Sequence, residues 1–114
     1  MTLQYDIVDI YDLLYRLGLK ATNTAFFYTS YAVYLAAQQP ERLLLLSQWI
    51  YPKVSSRYSV NLFYVAHEIR NTAAQVWQNR RAQLEHMAHK PLPDCPTPAL
   101  FLSILLSSFS KDIA

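Results

Sequence analysis

Apolar residues recur along this chain at three- and four-residue steps and almost nowhere alternate, so the pattern predicts helices and no strands. In residues 6–17, Ile7, Ile10, Leu13, Leu14 and Leu17 form one stripe, with Asp6, Asp9 and Asp12 on another face. Those acids fall in the early turns, where the positive end of the helix dipole favours them. Gly18 follows as the stop, because glycine takes the left-handed conformation at little cost. Thr22 and Asn23 offer N-caps for a second helix through about Gln38. Its aromatics, Phe26, Phe27, Tyr28, Tyr31 and Tyr34, are too many for one stripe and predict burial on several sides. Such a cluster is far more often core than a ligand box.

Pro40 is placed to end that helix and open a third, strongly apolar one across 41–50, with Leu43, Leu44, Leu45, Leu46 and Trp49. Pro52 restarts the chain in a fourth helix through about Tyr58. Ser59, Val60 and Asn61 form a short turn, with Asn61 as N-cap of a fifth helix over 62–78, open to continue past Arg81. Pro91, Pro93, Pro96 and Pro98 make 90–98 an extended connector, and Thr97 can cap a last helix over 98–109. The expectation is an all-α, six-helix bundle, one domain across 1–114 with its core in 17–110. The fourth and fifth helices have helix-turn-helix proportions.

Composition removes several function classes. With 53% hydrophobic and 16% charged residues the chain is too apolar for disorder. Its longest apolar stretch, 98–109, carries Ser103, Ser107 and Ser108 and falls short of the roughly 20 residues a bilayer span needs, so no membrane partner is expected. No signal peptide pattern opens the chain, and the lone Cys95 rules out an intramolecular disulfide, which suits a cytoplasmic location. Gly18 is the single glycine, so phosphate-cradling GxGxxG and GxxxxGK[ST] loops are excluded, and no nucleotide cofactor is expected. His86 and His89 stand three apart with Cys95 nearby, but the spacing fits no structural zinc pattern and lacks a fourth ligand; they read as surface histidines, with no metal. Glu85 beside His86 has no nucleophile or orienting group, and Cys95 between prolines reads as an exposed loop residue. No catalytic residues, enzyme activity or small-molecule substrate are expected.

Charge does change the picture. The net charge is only +2, yet from Arg42 to Lys90 seven cations stand against Glu68 and Glu85, leaving +5, while the first forty-one residues hold −2. A basic middle behind an acidic front is a mild electrostatic footprint for nucleic acid.

From Leu17–Gly18 into the last helix the sequence resembles the C-terminal effector domain of the stage zero sporulation master regulator. The carrying residues are Leu17–Gly18, Tyr31, the Ile50–Tyr51–Pro52 junction, Ile69–Arg70 and Trp77, then Pro96–Thr97 and Phe101. The resemblance implies a six-helix cytoplasmic DNA-binding domain whose fifth helix enters the major groove and whose copies bind side by side on short DNA boxes. That family's usual chain begins with a phosphorylatable receiver domain; the present sequence reads as a stand-alone divergent copy, so control by a fused receiver is not expected.

With Val65 and Ile69 inward, a step of about 100° per residue puts Leu62, Thr72, Ala73 and Val76 beside them. Phe63, Tyr64, His67, Arg70, Asn71, Ala74 and Gln78 then face outward. The family pattern here runs Arg, then Glu–Arg, then Ile–Arg–His. This chain has Tyr64, then Ala66–His67, then Ile69–Arg70–Asn71, so Arg70 alone is kept. Bidentate arginine to guanine is the commonest strong base contact, so the family's own sequence preference is expected to be lost. As base-facing residues of a double-stranded DNA site, Asn71 can pair with adenine, Phe63 can pack on a thymine methyl, and His67 can meet a phosphate or base acceptor. Lys53, Arg57, Arg80, Arg81 and Lys90 are the candidate phosphate contacts, although scattered cations are usually a solvated rim. Two further uses stay open: Phe63, Tyr64 and His67 as a protein-binding patch on a fold that has lost DNA binding, and a homodimer through the apolar last helix.

Overall fold

The computed structural model describes residues 6–110; residues 1–5 and 111–114, the ends of the expected 1–114 domain, lie outside the described residues. The elements in chain order are α1 (Ile7–Arg16), α2 (Thr24–Gln38), a 3-10 turn (Pro40–Leu44), α3 (Leu46–Trp49), α4 (Tyr51–Tyr58), α5 (Leu62–Asn79), α6 (Arg81–Ala88) and α7 (Pro98–Ser110). Six of these helices have eight residues or more, α3 is a single turn, and there is no strand among the described residues.

Local signals set most boundaries. The Asp6 carboxylate accepts from the Val8 N–H and caps α1. At the other end Gly18 sits at φ 85°, its N–H bonded to the Tyr15 carbonyl and the Leu19 N–H to that of Leu14, each at 3.0 Å. Those paired bonds are a Schellman stop, and they satisfy carbonyls that the helix end leaves open. Asn23 Oδ1 accepts from the Ala25 N–H at 3.0 Å and starts α2; Thr97 Oγ1 accepts from the Leu100 N–H at 3.2 Å at the head of α7.

α2 is the central rod, packed by α1, α4, α5, α7 and the 3-10 turn. It buries Phe26, Tyr28, Ala32, Val33, Leu35 and Ala36, and the hydroxyl of buried Ser30 donates to the Phe26 carbonyl at 2.7 Å. Ile10, Leu13 and Leu14 of α1 are buried with it, so the packed core begins ahead of Leu17. Phe101, Leu102, Ile104 and Leu105 of α7 are also interior, so most of that helix's apolar face is taken up inside the domain.

Two segments differ from the periodicity-based expectation. Residues 41–50 are not one helix: Leu45, at φ −140° and ψ 77°, separates the 3-10 turn from α3. Four consecutive leucines have no 3.6-residue period and cannot all face inward. The chain turns to bury Ile50, leaving Leu44 79% and Trp49 41% exposed. Arg42 closes the preceding junction by donating to the Leu35 carbonyl at 2.9 Å. The fifth helix ends at Asn79, close to the expected Gln78, where Arg80, at φ −137°, leaves helical geometry; the unexpected element is the separate helix α6, which carries Leu84 into the core against α7.

Candidate nucleic-acid interface

α4 and α5 are joined by residues 59–61. Ser59 takes the left-handed conformation at φ 55°, the Val60 N–H bonds back to the Ser55 carbonyl, and the Ser55 hydroxyl donates to the Val60 carbonyl. Asn61 Oδ1 accepts from the Phe63 N–H at 2.7 Å, capping α5. These bonds hold the turn tight, so the direction of α5 is set by backbone geometry as well as by packing.

α5 buries Val65, Ile69, Thr72, Ala73 and Val76. Thr72 satisfies its hydroxyl on the Glu68 carbonyl at 2.8 Å. On the opposite side Phe63 is 78% exposed and Tyr64 44%, and His67, Arg70 and Asn71 are exposed as well. At 1.5 Å per residue, Phe63 and Asn71 lie about 12 Å apart along the axis. That length is comparable to the width of the B-DNA major groove, also about 12 Å. Ala74 is half-buried, whereas Gln75, which periodicity did not single out, is exposed.

A row of tyrosines ties this face to the central rod. Tyr64 meets Tyr28 of α2 edge-on at 6.0 Å; Tyr28 packs on Tyr58 of α4 at 5.3 Å; Tyr58 meets Tyr31 at 6.2 Å. The Arg57 guanidinium lies over the Tyr31 ring at 5.7 Å. Burial pushes the Tyr58 hydroxyl above its ordinary pKa, and Tyr11 adds to the shift while Arg57 opposes it. Tyr51 is raised by burial too, with the Arg70 charge opposing. His67 and Asn71 are bonded to one another, Asn71 Nδ2 to His67 Nε2 at 3.1 Å.

The cations divide into two groups. Lys53 and Arg57 are exposed on α4, close in sequence to the start of α5, and Arg70 is on α5 itself; none has a carboxylate partner among the described residues. Arg80, Arg81 and Lys90 lie just past the end of α5, at the start of α6 and in the connector that follows it. Arg80 Nε lies 3.1 Å from where a Cβ on Gly18 would stand. Arg81, although exposed, is already engaged: its guanidinium covers the Trp77 ring at 4.8 Å, pairs with Glu85 at 3.4 Å and donates to the Leu92 carbonyl at 2.7 Å. Glu85 in turn accepts from the Leu92 N–H at 2.6 Å, and that bond, followed by Arg81, holds its carboxyl below the ordinary range. Arg81 therefore clamps the proline-rich connector to α6. Sequence reasoning treated it as a free surface cation; the i±4 spacing to Trp77 and Glu85 was the available signal, while Leu92 was not foreseeable.

His86 and His89 have ring centroids 6.5 Å apart. Among the described residues no group of three or more His, Cys, Asp or Glu could hold a metal ion. Nor is any helix long and apolar enough to cross a membrane.

A short helix, a tight turn and a long capped helix with one exposed polar and aromatic strip define a helix-turn-helix domain. Residues 10–107 match the family described as Sporulation initiation factor Spo0A C terminal, and the chain belongs to that family of helical DNA-binding domains of transcription regulators. No curated protein and no solved structure matches the chain.

Proposed function

We propose that this chain is a transcription regulator that binds double-stranded DNA by laying the first half of α5 in the major groove. The observation that carries the reading is the single solvent-facing strip Phe63, Tyr64, His67, Arg70 and Asn71 on a helix held by an N-cap and a buried face. Arg70 and Asn71 are the base readers, and Phe63 and Tyr64 supply apolar contact. Lys53 and Arg57 hold phosphates on the near side, with Arg80 and Lys90 as outlying contacts. Arg81 is a weaker member of that set, since Trp77, Glu85 and Leu92 already occupy its guanidinium. Selection of bound duplexes from a random pool at low salt, followed by mobility shift, tests the reading; an enriched motif is expected, and failure to retain any duplex refutes it.

One observation favours a second use of the same face. Phe63 is 78% exposed beside the half-exposed Tyr64, an aromatic pair on the face that also carries Arg70, which is the composition of a protein-binding hot spot. On that reading Phe63→Ala abolishes partner binding while Arg80→Ala with Lys90→Ala leaves it intact, and no DNA motif emerges from the selection.

A further inference from the structure

Phe63 is the second residue of α5, at the end of the helix that a helix-turn-helix domain presents to base edges, and it is 78% exposed. Its side chain and amide offer a base no hydrogen bond. A phenyl ring has neither donor nor acceptor, and the Phe63 N–H is already taken by Asn61 Oδ1 at 2.7 Å. Leu62, Phe63, Tyr64, Val65 and Ala66 carry no charge, so the head of the outward strip is apolar. Tyr64 is braced edge-on by Tyr28 and shares its ring with the packing of the domain. The Phe63 ring stands outside the core, so it leaves water only when another surface covers it.

We propose that Phe63 reads the C5-methyl group of a pyrimidine, so that binding at one position of the site depends on that methyl and responds to cytosine methylation. This rests on the DNA-binding reading above. The edges of the base pairs in the major groove are hydrogen-bond donors and acceptors, with one apolar group among them, the methyl of thymine. Carbon laid against a donor or acceptor strips its water and returns no bond, which is unfavourable. Carbon laid against the methyl buries apolar surface on both sides. Cytosine carries only a hydrogen at C5, whereas 5-methylcytosine carries the same methyl at the same ring position as thymine. A reader that senses nothing but the methyl therefore favours thymine over uracil and 5-methylcytosine over cytosine by the same factor.

The test uses the whole chain and a duplex enriched from the random pool, with its thymines replaced one at a time by deoxyuridine, which lacks only the methyl. At one position the swap is expected to weaken wild-type binding about fourfold, the worth of one buried carbon. With cytosine at that position, 5-methylcytosine binds about fourfold more tightly than cytosine itself. Phe63→Ala, a surface change that leaves the fold intact, abolishes both ratios, and Phe63→Leu, which keeps an apolar side chain, retains them. Two results overturn the assignment with DNA binding intact. One is a wild-type chain indifferent to every thymine swap, as for a ring wedged between base steps. The other is a Phe63→Ala chain that loses affinity for all duplexes alike and keeps the wild-type ratios. Retention of no duplex at all brings down the DNA-binding reading itself.

Discussion

If the strip on α5 enters the groove, the exposed cations near it set a measurable dependence on salt. Lys53 and Arg57 are exposed and have no carboxylate partner among the described residues, so each is available to neutralise one phosphate while Arg70 reads bases. Two such contacts give a slope of log K against log salt of about −1.8, because roughly 0.9 counterion is released per phosphate neutralised on B-DNA. Raising potassium chloride from about 50 to about 200 mM therefore weakens binding about 12-fold. Adding Arg80 and Lys90 steepens the slope to about −3.6. Lys53→Gln is the cleanest perturbation, since the side chain is exposed and Arg57 also packs on Tyr31. It should bring a slope of about −1.8 to about −0.9 while shifting unfolding free energy by no more than about 0.5 kcal/mol. Fluorescence anisotropy of a labelled duplex across a salt series reads the slope, and urea unfolding reads the control. A slope near zero, or one that Lys53→Gln leaves unchanged, refutes the assignment of these cations to the DNA backbone.

Further outcomes follow from the packing. Ile69→Ala, which empties a fully buried site beneath the reading strip, should cost about 2–5 kcal/mol in urea unfolding. Gly18→Ala should cost about 1–2 kcal/mol because φ 85° is strained for alanine, and adding Arg80→Ala should recover little, since the guanidinium that a Cβ meets is a flexible end able to move. Burial holds the Tyr51 and Tyr58 hydroxyls above their ordinary value of 10.0, so the folded chain keeps those protons to higher pH than the unfolded chain. Their contribution is whole below about pH 10 and is lost as pH climbs through the folded values, so Tyr51→Phe should flatten the alkaline limb of a stability–pH curve.

The parts of the fold legible in the sequence were those with a local chemical cause. Gly18, Asn23, Asn61 and Thr97 each act on backbone within a few residues, and the step of α5 separates Val65 and Ile69 from Phe63, His67 and Arg70 without knowledge of the tertiary structure; Asp6, expected as an acid of the first turn, is the cap of α1. The segments that departed from expectation lack such a cause. Leu43 to Leu46 carry apolar character without period, so the burial of Ile50 decides their path. No proline or glycine marks the break at Arg80; it exists because Leu84 packs under α7 and Arg81 reaches the connector at Leu92. Within the candidate interface the outward facing of residues was readable, but the tyrosine support running from Tyr64 through Tyr28 to Tyr58 joins three helices and leaves no linear trace.

The placement of α2 in the middle of the domain bears on how such a surface changes over evolutionary time. α5 rests on α2, α4 and α7 through side chains that take no part in the outward strip, so His67, Arg70, Asn71 and Phe63 are free to drift without loosening the scaffold. Tyr64 is the exception, because its ring is braced by Tyr28. Single exposed substitutions can thus rewrite the strip on an unchanged frame, with position 64 the one whose replacement also touches the packing.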